Sequence, residues 1–353
     1  MTKNDIVTAA RNGQAFIGAD LSGVDLAGAD LSGGRFEAVS FKGANLAGAA
    51  LKDAGFKKCD FSGAVLDRCD LTKMDLSRSL FAGASLKSIT TRMTLLGRSD
   101  FTKADFSGAN LFWAVMEGAK MAGARFSGAR LEKLTLGKSD LTGADFTGAS
   151  LLKVIFSGCV LKGVILRGAT LDKVLLSNCD LSGQDFSGMS FKQINFSGSN
   201  LAGASFSKAK ITYCHFGQAN LEGADLSQAD GSKSLFQGAT LKAAKLAGGV
   251  FVSAVFNEAD CSSADFSGAN LLHGQFAGAT CPATKFTGCD LHHAEFSHAD
   301  ATGADFSGAN MTMANLHMLK DEHALYERTE RTLVRATNTD LAEAETFNPG
   351  PAA

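Results

Sequence analysis

One frame of five residues runs through this chain and limits what it can fold into. Counting every fifth residue from Phe16 to Leu316 gives 61 centre positions, of which 56 are Leu, Phe, Met or Ile. The exceptions are Thr91, Gly231, Cys261, Cys281 and Ala301, and the frame never slips. Two residues before each centre sits a small residue, usually Ala, as at Ala19, Ala44, Ala104, Ala144, Ala224 and Ala304. Asp or Asn often falls between the two, and Ser/Thr-Gly often follows. A period of five fits neither a helix of 3.6 nor a strand of two. Two inward residues in five, one large and one small, suit a chain that turns a corner every five residues. Four corners close a coil of about 20 residues, repeated as in other solenoids.

This pattern resembles the pentapeptide-repeat family, whose motif is A(D/N)LXX, over residues 16–318. The resemblance implies an all-β fold, a right-handed quadrilateral parallel β-helix of about 15 coils. At ~4.8 Å per coil that is a rod roughly 70 Å long. The open β edges at its ends need caps. Residues 1–15 read as an N-terminal cap with a short helix over 3–12 ended by Gly13. Residues 319–336 read as a C-terminal helix, and 337–353 as a flexible tail.

The frame assigns the eight cysteines. Cys59, Cys69, Cys159, Cys179, Cys214 and Cys289 fall on the small inward position, and Cys261 and Cys281 on the centre. All are therefore expected as buried, reduced filler rather than metal ligands or disulfides. His273, His292, His293, His298, His317 and His323 cluster late, with His273 and His293 stacking on one solvated face. There is no nucleophile–base pair, P-loop or GxGxxG context. The expectation is no enzyme: no catalytic residue, no cofactor and no metal site.

Net charge is −2 over 353 residues, a weak argument against nucleic acid as the main partner. Summed coil by coil, the charge alternates in sign through thirteen coils, and acidic coils recur every 40 residues (99–110, 139–150, 179–190, 259–270, 299–310). One outward column shows it: Asp105, Arg125, Asp145, Ile165, Asp185, Ser205, Asp225, Lys245, Asp265, Lys285, Asp305. Opposite charges along such a column should attract, each exposed pair contributing about 0–1 kcal/mol. Quinolone-resistance members of the family resemble B-DNA and occupy DNA gyrase. Such a mimic needs a sustained negative field. Here residues 20–219 sum to +6 and 220–319 to −6, so the DNA-mimicking inhibitor or gyrase protector stands as the alternative reading.

Two adjacent faces depart from the motif. The face centred on 31, 51, 71 and onward replaces the usual Gly with Lys73, Met93, Trp113, Lys133, Lys153, Lys173, Gln193, Tyr213 and others. Beside these lie Phe112 and Leu152. The next face carries Leu95, Val115, Ile155 and Leu175 where Asp or Asn is usual. Exposed apolar residues of this kind mark a contact surface, and aromatics beside Lys suit an interface centre. Leu95, Phe112, Trp113, Val115, Leu152, Lys153, Ile155, Leu175 and Tyr213 form the candidate partner-binding surface.

The expected partner is a protein, with a homodimer as one form. The opening Gly18-Ala19-Asp20-Leu21-Ser22-Gly23-Val24-Asp25-Leu26 and the acidic run Asp340 to Glu345 resemble pentapeptide proteins found with bacterial type VI secretion effectors. That resemblance implies an adaptor or chaperone role. The first 15 residues hold no apolar core or cleavage site, and no apolar run reaches the ~18 residues of a membrane span. A cytoplasmic location without membrane contact is the expectation.

Overall fold

The computed structural model describes residues 1–346, in two compact units, Met1–Leu181 and the part of the chain from Ser182 on. Each unit is a parallel β-coil with a 20-residue register. In the first, Asp20 pairs with Ser40 and Ser40 with Asp60; in the second, Asp225 pairs with Lys245 and Lys245 with Asp265. Regular pairing of several residues is confined to nine short strands among the described residues, fewer than the ~15 coils the frame predicts. Elsewhere the coils are joined by single-residue bridges, because the corners leave no room for longer strands.

The five-residue unit explains itself at any ordinary corner. In Phe41-Lys42-Gly43-Ala44, the Ala44 amide donates to the Phe41 carbonyl at 2.9 Å and Gly43 sits at φ 62°. That is a tight turn whose third residue must be left-handed, the reason Gly follows Ser or Thr in the motif. The Asp has its own task. The Asp60 Oδ1 accepts from the Ser62 amide at 2.9 Å, and Asp145 does the same for Thr147 at 2.8 Å. These two-residue Asx links hold the corner open-side out. At Asp300 the Thr302 hydroxyl and amide together hold the carboxyl below the ordinary carboxylate range.

Inside, like residues stack at the register. In the first unit Phe106, Phe126 and Phe146 lie parallel with centroids 4.9 and 4.8 Å apart. In the second, Phe216, Phe236 and Phe256 stack at 4.8 Å. Several polar residues on the small inward position donate their side chain to the carbonyl 23 residues earlier. Thr94 donates to Leu71 at 2.8 Å, Ser139 to Met116 at 3.0 Å and Thr284 to Cys261 at 2.8 Å.

The charge column behaves differently from the expectation of direct pairing. Arg125 and Lys285 lie next to Asp in the register. At Asp145 burial opposes the charge, and the Thr147 bonds outweigh Arg125 in keeping it ionised; at Asp305 the Ser307 bonds lead and Lys285 comes last. The carboxylate oxygens, however, point along the chain to the amides two residues on. Direct ion pairs in the coil run diagonally, 18 residues apart: Lys42 to Asp60 at 3.2 Å and Lys87 to Asp105 at 3.5 Å.

The ends match the sequence reading at the N-terminus and correct it at the C-terminus. α1 (Lys3–Arg11) begins with a Thr2–Asp5 capping box, buries Ile6 and Ala10, and is followed by Gly13 at φ 72°. Residues 319–336 are not a helix. The coil continues through them: the Lys320, Leu325, Glu330 and Arg335 amides donate to the Ala299, Ala304, Ala309 and Ala314 carbonyls at 2.8–3.0 Å. The ready-made edge of the preceding coil outweighs the helical propensity of this segment. The frame was hidden because the centre positions are Asp321, Tyr326 and Arg331. Tyr326 stacks on Phe306 at 5.3 Å, donates to Asp321 at 2.7 Å, and lies under Arg331. The second helix, α2, is Thr339–Thr346, within the stretch read as a tail; residues 347–353 of that tail lie outside the described residues.

Candidate functional site

The face singled out by its sequence is also the one whose corners differ in shape. In the first unit, β1 (Ala15–Ile17), β2 (Arg35–Glu37) and β3 (Gly55–Lys57) form one small parallel sheet. β4 (Thr90–Arg92), β5 (Asn110–Phe112), β6 (Arg130–Glu132), β7 (Ser150–Leu152) and β8 (Thr170–Asp172) form another on the adjacent face. In β5 to β8 the tight-turn bond is absent, while the amides of Trp113, Lys133 and Lys153 keep the bond to the next coil that ordinary corners also make, to Glu132, Leu152 and Asp172 at 2.9–3.0 Å. The corner flattens and its outward side chains form an even surface.

The residues on that surface are strained. Lys73, Met93, Trp113, Lys133, Lys153 and Lys173 all sit at φ between 52° and 61°. A side chain in the left-handed region costs about 1–2 kcal/mol relative to the right-handed one, and Gly removes the cost. Gly fills many equivalent corners of the other faces, as at Gly108, Gly128, Gly148 and Gly168. A run of seven successive coils, Asp53 to Lys173, that forgoes Gly retains its side chains for a reason other than local backbone preference.

Trp113 is 45 % exposed, Met93 43 %, Leu95 44 % and Leu175 38 %. Phe112 and Trp113 contact at 5.4 Å, and the Lys133 ammonium lies 4.9 Å from the Trp113 ring and 5.5 Å from Phe112. Arg92 reaches Phe112 from the preceding coil at 5.8 Å. Register places Arg92, Phe112, Glu132, Leu152 and Asp172 in one row. Leu95, Val115, Thr135, Ile155 and Leu175 form the neighbouring row. Phe112, Val115, Leu152 and Ile155 are half-buried and Lys153 is exposed. Eight of the nine candidate residues therefore share one patch of the first unit. Tyr213 is in the second unit, 53 % exposed, with Lys233 Nζ 3.2 Å from its hydroxyl. Sequence reasoning missed Arg92, which the 20-residue register alone would have placed beside Phe112. Over the strands and corners of these two faces, residues 90–178, seven cations (Arg92, Arg98, Arg130, Lys133, Lys138, Lys153, Lys173) face three carboxylates (Glu117, Glu132, Asp172).

Family models now add their finding to this geometry. The model described as pentapeptide repeats (8 copies) matches residues 19–57, 59–90, 81–118, 94–132, 109–148, 234–271 and 275–317; the pentapeptide repeat region model matches 138–206 and 169–246. The chain belongs to the pentapeptide-repeat family. Among solved structures, it is similar to HetL, a pentapeptide repeat protein involved in heterocyst differentiation regulation from the cyanobacterium Nostoc sp. strain PCC 7120. Identity is 22 %, covering 75 % of this chain and 88 % of that one, with a TM-score of 0.17. It is also similar to QnrB1, a plasmid-mediated fluoroquinolone resistance protein, at 18 % identity over 80 % and 100 % of the two chains, TM-score 0.20. With identities and TM-scores this low, neither bears on what this pentapeptide-repeat chain binds. The comparison with curated proteins gives no match.

The cysteines of the repeat are buried and free. Thiols on the small position donate to carbonyls of the preceding coil, Cys69 to Leu46 and Cys159 to Leu136 at 3.1 Å. Burial pushes the Cys214 thiol up to about 12 and that of Cys59 up to about 11. We expect no thiol to react with Ellman's reagent at pH 8 in the folded protein, and all eight to react in guanidinium. A fast-reacting thiol in the native state would contradict the assigned burial.

Two histidine groups occur. His273 and His293 stack at 5.0 Å, and His292 meets His293 at 4.3 Å. Desolvation, then the neighbouring imidazoles, lower the His293 pKa. Separately, Glu345 Oε2 of α2 lies 3.1 Å from His298 Nε2 and 3.2 Å from His317 Nε2. The Asn338 amide donates to His317 Nδ1 at 3.1 Å. A ring whose Nδ1 accepts carries its proton on Nε2, so His317 donates to the carboxylate instead of offering a lone pair to a cation. The trio is a tether for α2. No helix among the described residues is long and apolar enough to cross a membrane.

Proposed function

We propose that this pentapeptide-repeat protein is a non-catalytic interaction scaffold, and that it captures a protein partner through the Trp113–Val115–Ile155 patch of its first unit. The observation that carries this reading is the unbroken column of left-handed, non-glycine residues around Trp113. It sits beside the mostly apolar row from Leu95 to Leu175, exposed at its two ends, and under an excess of Arg and Lys. Aromatic anchors, Arg and a polar rim are the usual make-up of an interface centre. The cationic excess suits a partner that presents carboxylates around an apolar centre. A bacterial secretion effector, with this chain as its adaptor or chaperone, is the finer form of the proposal; a second copy of the chain is the other.

The test is a tagged pull-down from the native host with Val115→Lys combined with Ile155→Lys. Both side chains point outward, so the variant should fold normally, keep its melting temperature within a few degrees, and lose its co-purifying partner. Retention of the same partners and the same oligomeric state would sink this assignment.

The DNA-mimicking reading fares less well physically. In the acidic third of the chain, Lys245 and Lys285 interrupt the Asp225, Asp265 and Asp305 ladder, breaking the negative field such a mimic needs. We expect no inhibition of gyrase supercoiling at micromolar protein; inhibition there would favour the mimic over the scaffold.

A further inference from the structure

The second unit carries three imidazoles on two successive coils. His273 and His293 occupy one column, a single register step apart, and His292 precedes the second of them. The backbone fixes where they leave the coil. The His273 amide donates to the His292 carbonyl and the His293 amide to the Thr312 carbonyl, both at 3.0 Å. His273 and His293 sit in the left-handed region, at φ 57° and 56°. Their rings stack at 5.0 Å with 16° between the planes, and His292 meets His293 edge-on at 4.3 Å. His273 is exposed and the other two are half-buried. The next residue of the column, one coil on, is Met313.

What these rings bond to sets them apart from the histidines at the α2 tether. There, Nε2 of His298 and of His317 meets Glu345, and Nδ1 of His317 accepts from Asn338. Among the described residues, no ring nitrogen of His273, His292 or His293 has a protein partner; only their backbone groups do. The acids nearby in the chain are engaged elsewhere. Asp290 accepts from the His292 amide at 3.2 Å and from the Asn310 side chain at 3.4 Å. Both oxygens of Glu295 accept from Asn315, at 2.8 and 2.9 Å. The lone pairs left free at this corner are imidazole nitrogens, with a thioether next in the column. That donor set does not suit Ca²⁺ or Mg²⁺, which take oxygen ligands. It suits the late first-row transition ions.

We propose that His273, His292 and His293 form a binding site for one divalent transition-metal ion on the outer face of the second unit. His273 and His293 clamp the ion from two successive coils, and His292 supplies a third nitrogen. An ion held at about 2.0–2.1 Å by each nitrogen needs neighbouring nitrogens about 3.3 Å apart. The stacked rings reach this by tilting toward a common point about the Cβ–Cγ bond, a torsion that varies broadly in His. Cu²⁺ binds ahead of Zn²⁺, following the general order for nitrogen ligands. The bound ion staples the two coils together, so its occupancy stabilises this part of the solenoid. The inference is independent of the Trp113 patch, which belongs to the first unit.

Calorimetric titration of the untagged full chain with Zn²⁺, and separately with Cu²⁺, tests it. One ion per chain is expected, with Cu²⁺ the tighter and no binding of Mg²⁺. The Cu²⁺ complex should show nitrogen hyperfine splitting in its electron paramagnetic resonance spectrum. Zn²⁺ should slow amide exchange at 272–274 and 292–294. His273→Ala combined with His293→Ala should weaken binding at least about tenfold, since even loss of a group that only orients a ligand costs that much. His298→Ala, which loosens only the α2 tether, should leave binding unchanged. A double variant that binds as tightly as the original chain, a site lost with His298→Ala instead, or no binding at micromolar protein overturns the proposal and leaves a solvated imidazole stack. The exchange measurement on the unaltered chain decides the matter even if the double variant does not fold. Val115→Lys with Ile155→Lys should leave metal binding intact, which separates failure here from failure of the patch.

Discussion

Phe126→Ala should lower the stability of the first unit by about 3–5 kcal/mol, the range for emptying a buried aromatic site. Phe126 is fully buried and sandwiched between Phe106 and Phe146, with interplanar angles of 2° and 5°. Removing the ring loses its transfer energy and both stacking partners at once, each contact worth about 0.5–1.5 kcal/mol. The stack is rigid in register, so neighbouring coils cannot collapse into the gap without breaking their ladder bonds. Chemical denaturation of the full chain, followed by amide exchange, measures it. The exchange should rise first in the coils around 106–146, because solenoid stability is built from nearest-neighbour terms. Phe112→Ala, an outward ring of the same residue type, should cost less than about 1 kcal/mol. Equal losses at the two sites would show that the five-residue frame does not separate core from surface.

Gly231→Leu should destabilise the second unit by about 1–3 kcal/mol, although it restores the residue the motif prefers. Gly231 stands at a centre position, and the space its side chain would fill already holds the Phe251 ring. A Cβ there would come within 2.6 Å of two ring carbons, and a Cβ at Gly249 within 2.4 Å of another. The ring leans into room left by two glycines. Pairing the change with Phe251→Leu should recover most of the loss, since the column would then hold two aliphatic residues in ordinary register. A stabilising Gly231→Leu, read by the same denaturation experiment, would contradict this packing.

The period of five was enough to read the coil, the inward columns and the burial of every cysteine. It worked because a solenoid repeats one local solution: the same centre, the same small residue, the same left-handed corner. Eight of the nine candidate surface residues could be grouped from register alone for the same reason. What the period could not show lies where contacts replace it. The coil over 319–336 was read as a helix because charged centres erased the motif, while the preceding edge still supplied its acceptors. The flattened corners of β4 to β8 come from one face, not one residue, and the ladder that parts between residues 49–54 and 70–75 has no signature in the five-residue frame. Asp carboxylates looked like partners for the cations stacked on them in register, and each first serves the amide of its own turn, with ion pairs left to diagonal neighbours such as Lys42 and Asp60.

The layer formed by Asp321, Tyr326 and Arg331 has a consequence for how such a chain can change length. Adding another coil beyond it would bury an acid and a guanidinium in the apolar stack, at a cost no Phe layer could offset. Growth at that end is closed. A layer inserted between existing coils carries no such cost, because it meets apolar columns above and below. The terminal layer therefore acts as a stop written in side chains, at the position where the apolar stack gives way to charge.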